Sequence, residues 1–342
     1  MEPSLTEEVV ARQPVKRECP YMKRLALIAL VAASVGVGAQ TTSPARASRM
    51  FDSAALLANL KTLSSDEMNG RAVDTPDGAR ARAFLAGRLK SAGLTPFGST
   101  FEQPFTFKSG GRNGAAAVER HGVNLVGRIN GTRQPARYIV VTAHYDHLAP
   151  RNGVVMNGAD DNASGAAALV SITQYFSTHR PTNSLIIVAC DGEEAGLRGA
   201  EAFAAAPPVP AASMVVDVNL DMIGRDPDDK LFAVGTLLNP YLKPLVEEVA
   251  KSAPVRLLIG HDDPANKRLD DWTRDSDHYA LWTALKMPFI YLGVEDESQH
   301  HKSTDDYETI TYGFYIGAVE TSIALIRNLD TNLDLIQKGR PS

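Results

Sequence analysis

Five stretches of the 342-residue chain carry side chains that could do chemistry: His144-Tyr145-Asp146-His147, Asp160-Asp161-Asn162, Asp191-Gly192-Glu193-Glu194, Asp221, and His300-His301. All supply imidazole or carboxylate. Carboxylates crowded together repel and are driven to hold protons. A bound dication removes that conflict, because it becomes the largest local charge and favours the ionised form. Imidazole mixed with carboxylate suits zinc, with manganese or cobalt as substitutes. Taken singly each stretch is ordinary: a lone histidine is commonly a surface or core residue. Glu193-Glu194 alone could be a solvated helix start, and Asp160-Asp161-Asn162 a turn with a helix cap. Weight comes from their order and from what precedes each one.

What precedes them is a series of β-rich apolar runs: Tyr138 to Thr142, Ser184 to Ala189, Met214 to Leu220 and Pro288 to Leu292, with further runs at 231–234 and 255–259. Helical stretches alternate with them at 163–178, 196–206, 240–252, 277–286 and 312–329, after an opening helical region from Phe51 to Gly93. Residues 101–107 and 123–129 read as two earlier strands. Near-continuous apolar strands alternating with helices predict an α/β fold, a three-layer α/β/α sandwich around a mostly parallel, mixed sheet. In such sheets ligands bind beyond the carboxyl ends of the strands, which is where the His, Asp and Glu residues fall. One catalytic domain over 51–329 is expected, with 330–342 as a C-terminal tail.

Six ordered motifs resemble the M28 zinc aminopeptidases, the group that includes bacterial leucyl aminopeptidases. They are AHYDHL (143–148), GADDNASG (158–165), CDGEEAGLRGA (190–200), NLDMIGR (219–225), SDHYAL (276–281) and HHKSTDDYETI (300–310). The opening stretch 63–96 is similar as well. The resemblance implies two zinc ions. His144 and Asp221 would hold one, Glu194 and His301 the other, and Asp161 would bridge both. It further implies Glu193 as general base and Asp146 as the residue that orients His144. His301 and Asp161 fit the family pattern better than their neighbours His300 and Asp160. The implied activity is removal of N-terminal residues from peptides with a free N-terminus. A carboxypeptidase or a glutaminyl cyclase-like enzyme on the same fold is the alternative. The former would need a carboxylate-binding arginine, for which Arg198, Arg225, Arg268 and Arg274 are candidates. Some family members place an oxyanion-holding tyrosine just upstream of Ser276; Trp272-Thr273-Arg274-Asp275 has none, which leaves Tyr279 and His278.

Other chemistries fit less well. Ser164 lacks the leading glycine of a nucleophile elbow, and there is no HExxH sequence. Cys190 has no basic partner nearby in sequence and reads as a buried strand residue. The formal net charge of -5 and the lack of a dense Lys/Arg tract argue against nucleic acid as a partner. At the N-terminus, Met22-Lys23-Arg24, the apolar run Leu25 to Ala39 and the small residues at its end read as a secretory signal peptide. A translation start at Met22 would account for residues 1–21. The expectation is therefore a leader over 1–39, a flexible linker over 40–50, export to the periplasm or the outside, and no stable membrane span once the signal is cleaved.

Overall fold

Among the described residues, nine β-rich stretches pair into one sheet, and the helices between them cover its two faces. The computed structural model describes residues 47–110, 116–266, 269–296 and 298–340. The expected leader, and the linker as far as residue 46, lie outside the described residues. Helices α1 (Ser53–Leu63) and α2 (Pro76–Ser91) come first, then strands β1 (Thr95–Pro96), β2 (Glu102–Gly110), β3 (Ala117–Ile129) and β4 (Gln134–His144). After these come α3 (Gly165–Thr178), β5 (Asn183–Cys190), α4 (Arg198–Ala205), β6 (Met214–Leu220), β7 (Lys230–Val234), α5 (Lys243–Ala250) and β8 (Arg256–Ile259). The last elements are α6 (His278–Leu285), β9 (Phe289–Gly293), α7 (Tyr312–Thr331) and α8 (Leu333–Gly339).

The strand order is β1-β3-β5-β4-β6-β9-β7-β8, with β2 added on β3. The centre, β5-β4-β6-β9, is parallel. Antiparallel pairing enters where β3 meets β5 and β7 meets β9. Strand alternation splits the core in two. Ile139, Val141 and Ala143 of β4, with Leu185, Ile187 and Ala189 of β5, join the cluster that contains α1, α2, α3, α5 and α7. Tyr138, Val140, Ile186, Val188 and Cys190 face the other way, toward α4 and α6. This period-two sorting makes both faces of the sheet apolar and its strands nearly continuous in sequence hydrophobicity.

Parallel register aligns the strand ends that matter. His144, the last residue of β4, sits opposite Cys190, the last of β5, and Thr142 sits opposite Asn219 of β6. Asp221 follows β6 directly, and the loop after β9 carries His300 and His301. Four parallel strands thus deliver their following residues to one edge.

The backbone departs from helical geometry at Asp161 (φ -102°, ψ 96°) and Asn162 (φ -130°, ψ 45°) and is helical from Ala163, as expected, into α3. The segment expected to be a peripheral tail contains α8, whose Leu333 and Ile336 are buried and whose following Arg340 donates to the Met214 carbonyl at 2.8 Å. Its two buried apolar residues, three apart, form one stripe too short to register as periodicity. Burying both contributes on the order of 3–6 kcal/mol.

Candidate metal centre

The Asp160–Asn162 turn is held from three sides. The Asp305 carboxylate accepts the backbone N–H groups of Asp160 and Asp161 at 2.9 and 3.0 Å. Asn162 Nδ2 donates to the Leu220 carbonyl at 2.9 Å, and its Oδ1 accepts the Gly165 N–H at 2.9 Å. Asp160 turns away, its Oδ1 accepting the Gly224 N–H at 2.6 Å, while Asp161 faces the histidines. Gly158 precedes the turn at φ +55°; a Cβ there would lie 2.2 Å from the Asp161 carbonyl oxygen and 2.5 Å from the His147 ring, so no other residue fits.

Asp161 stands between two groups of ligand atoms. Its Oδ1 is 3.4 Å from His144 Nε2, which is in turn 3.2 Å from Asp221 Oδ1. Its Oδ2 is 3.2 Å from His301 Nε2, which lies 3.0 Å from Glu194 Oε2. All five residues singled out in the sequence as ligands therefore converge. His300 also comes within 3.6 Å of Asp161 Oδ2, but its side chain is more exposed. His147 enters the group unexpectedly, its Nδ1 2.8 Å from Glu194 Oε1 and 3.7 Å from Asp161 Oδ2.

Asp146 works through both its backbone and its side chain. Its carbonyl oxygen accepts from His144 Nδ1 at 3.1 Å, fixing the ring so that Nε2 faces Asp161 and Asp221. Its carboxylate lies 3.6 Å from the same nitrogen and accepts the Glu193 N–H at 3.1 Å and the Glu194 N–H at 3.4 Å. Asp146 thereby ties the loop after β5 to the end of β4, and adjacent Glu193 and Glu194 point different ways. Glu193 Oε2 lies 4.0 Å from His144 Nε2 and lines an open cavity of about 810 Å³.

The electrostatics are those of a site short of positive charge. Carboxylate pairs about 5 Å apart repel by roughly 3 kcal/mol at an effective dielectric near 20. Burial, with Asp221, Asp277 and Asp146 nearby, pushes the Glu193 carboxyl well above its usual range against the pull of His144. Burial disfavours charge on His144 too, yet Asp221, Glu193, Asp146 and Asp161 raise it well above an ordinary imidazole. His301, beside Asp161 and Glu194, is raised to about 10. Burial acts to raise Asp161 and Glu194, but the histidines beside them win: Asp161 falls well below normal and Glu194 to about 2. Protonated imidazoles take the part here that a dication would take better.

The donor set passes a direct test for fit to zinc. Asp161 Oδ2, Glu194 Oε1 and His147 Nδ1 are all buried without a hydrogen-bond partner, although they lie within 4.8 Å of one another. A second cluster, His144, Asp161 and Asp221, meets the same distance limit. Buried polar atoms are rarely left unpaired, and converging nitrogen and oxygen atoms of this kind suit zinc.

Several residues from segments already noted in the sequence take roles that the sequence did not show. Ser276 donates its hydroxyl to Asp221 Oδ2 at 2.6 Å. Arg71, fully buried, donates to the carbonyls of Leu63, Tyr145, Asn157 and Gly158 at 2.6 to 3.0 Å, joining the loop after α1 to both histidine- and aspartate-bearing turns. Burial lowers its pKa to about 10, still leaving it charged at neutrality. Tyr291 lines the cavity beside Glu193 and Asp221. His278 is sealed beneath, with Nε2 at 3.0 Å from the Thr273 carbonyl and burial lowering its pKa to about 3. Ser164 donates to the Asp160 carbonyl and accepts the Ile223 N–H, a packing role. Cys190 is buried and its thiol pushed up by burial, so it carries no thiolate at neutral pH.

Residues 124–326 match the model for Peptidase family M28. A curated relative, a probable zinc metalloprotease of Pyrenophora tritici-repentis, is 28% identical over 229 residues, covering 55% of this chain and 48% of that protein. The chain spans about half the length of the curated relatives it matches first. Among solved structures, Porphyromonas gingivalis glutaminyl cyclase superposes with a TM-score of 0.66 at 17% identity, covering 81% of this chain and 98% of that one. An aminopeptidase from Aneurinibacillus sp. strain AM-1 gives a TM-score of 0.64 at 13% identity, with coverage of 81% and 93%. At such identities the structural likeness is one of fold. The family match takes in more than half of the chain, including every residue from His144 to His301 that builds the cluster, and the chain belongs to Peptidase family M28.

Proposed function

We propose that the protein is a two-zinc aminopeptidase that hydrolyses N-terminal residues from peptides. The observation carrying this reading is the position of Asp161, one oxygen toward His144 and the other toward His301, with Glu193 facing the adjoining cavity. His144, Asp161 and Asp221 would hold one ion; Asp161, Glu194 and His301 would hold the other, with Mn²⁺ or Co²⁺ as substitutes. Zinc bound there would polarise a substrate carbonyl and bring a water's pKa toward neutrality. Glu193 acts as the base that takes the water's proton and later delivers it to the leaving amine. Tyr291, whose phenol burial and nearby carboxylates keep protonated, replaces Tyr279 and His278 as the candidate donor to the oxyanion.

Preference for a free amine is supported by charge. The cavity carries Glu193, Asp270, Asp275 and Glu295 along its wall, and no Lys or Arg among the described residues lines it. Arg225 is engaged by Asp296 and Asp305, and Arg198 pairs with Glu201. A substrate ammonium is welcome in such a cleft; among the described residues a C-terminal carboxylate finds no Lys or Arg, and the candidate Arg268 lies outside them. The test is a panel of aminoacyl-nitroanilides beside N-acetylated counterparts and N-terminal glutaminyl peptides, with and without chelator. Chelator-sensitive cleavage of only the free-amine substrates supports the proposal. Cleavage of N-blocked peptides from the C-terminus, or cyclisation of glutamine without hydrolysis, would replace it. Export is part of the same proposal, supported by the signal-like segment 22–39, and N-terminal sequencing of secreted protein tests it.

A further inference from the structure

His147 has no role in the arrangement just described, yet it is placed as a ligand would be. Its ring is buried, and neither nitrogen has a hydrogen-bond partner. Nδ1 lies 2.8 Å from Glu194 Oε1 without the alignment of a hydrogen bond, and that oxygen is itself unpartnered. Asp161 Oδ2, 3.7 Å from the same nitrogen, is the third unpartnered atom. A nitrogen this close to two oxygens, but aimed directly at neither, shares a focus with them. His301 Nε2 reaches the same two carboxylates from the other side, at 3.2 and 3.0 Å, its ring centroid 5.8 Å from that of His147. The backbone accommodates the ring by requiring glycine at 158.

We propose that His147 is a fourth protein ligand of the ion held by Asp161, Glu194 and His301, an assignment that rests on the two-zinc reading. The two positions then differ in kind. With two imidazoles and two carboxylates, the second is closed by protein, as in tetrahedral sites that retain their metal. The first, with His144, Asp161 and Asp221, keeps a place open for water or substrate, as in catalytic sites. The second ion would therefore be the tighter one and the last to leave under chelation.

The experiment counts ligands and measures affinity. Zinc binding to wild type, His147→Phe and His147→Gln is followed at equilibrium by competition with a chromophoric chelator. X-ray absorption counts imidazoles on the zinc-loaded proteins, all in a His300→Ala background so that the exposed neighbour cannot contribute. The expected result is two unequal affinities in the parent, with the tighter one weakened by at least roughly 100-fold in both variants, at or beyond the loss seen when groups that merely support ligands are removed. The count should fall from three imidazoles over two ions to two. The parent's count of three stands as a test even if neither variant folds. A parent that holds two ions with only two imidazoles overturns the assignment alone. A parent that holds fewer than two ions overturns the two-zinc reading itself.

Discussion

Ser276 donates its hydroxyl proton to Asp221 Oδ2 at 2.6 Å, while Asp221 Oδ1 faces His144 Nε2 at 3.2 Å; one oxygen of the carboxylate is fixed so that the other can serve as a ligand. The serine is itself held by Asn219 Nδ2 at 2.7 Å, and Asn219 Oδ1 takes the Thr142 hydroxyl at 2.8 Å. This buried chain runs from the middle of the sheet to the metal centre. Groups that orient metal ligands commonly contribute 10- to 100-fold in affinity. Ser276→Ala is therefore expected to weaken zinc at the His144 position by about that factor, read by chelator competition, with the second position unchanged.

Glu193→Gln keeps the shape of the cavity and the Asp146 contact to the backbone N–H, but cannot accept a proton. Zinc content by mass spectrometry should match wild type, while kcat falls by about 10²–10⁴-fold, the usual worth of a positioned base. Loss of metal in this variant would instead assign Glu193 a ligand role.

Tyr291→Phe removes a hydroxyl from the cavity wall and leaves the ring stacked on His278 at 4.9 Å. An oxyanion donor acts only as charge develops, so kcat should fall by roughly 10²-fold with KM little changed. A change confined to KM would mark Tyr291 as a wall for the substrate side chain.

Strands and helices could be read from sequence because both faces of the sheet are buried, which makes the strands short unbroken apolar runs between amphipathic stretches. The candidate ligand segments at His144 and Asp221 could be read because each follows such a run, whereas Asp161 and His301 lie farther along the loops after β4 and β9. Arg71, Ser276 and Tyr291 could not, because their role depends on partners brought by folding: Ser276 meets Asp221 across 55 residues, and Arg71 meets Gly158 across 87. Neither distance leaves a local pattern.

Zinc uptake should release protons. In the metal-free protein His301 is raised from 6.5 to about 10 by Asp161 and Glu194, so its stabilising pairing is fully present below pH 6.5 and lost as pH rises through about 10. Glu194 is lowered from 4.5 to about 2; burial opposes this, but His147 and His301 prevail. Its contribution is present above pH 4.5 and lost as pH falls toward 2. At pH 7.5 His301 is thus protonated without metal and must give up its proton to bind zinc. Titration calorimetry in buffers of different ionisation enthalpy should show at least one proton released per chain. A buffer-independent heat would contradict the placement of His301 beside the ion.

The two-zinc proposal turns on Asp161, and metal content tests it directly. Purified wild-type protein equilibrated with zinc and desalted should retain two ions per chain. Asp221→Ala and Glu194→Ala should each retain one, and Asp161→Ala should retain neither at the same free zinc concentration. An Asp161→Ala protein that folds and still holds both ions would show that this residue joins no pair of cations.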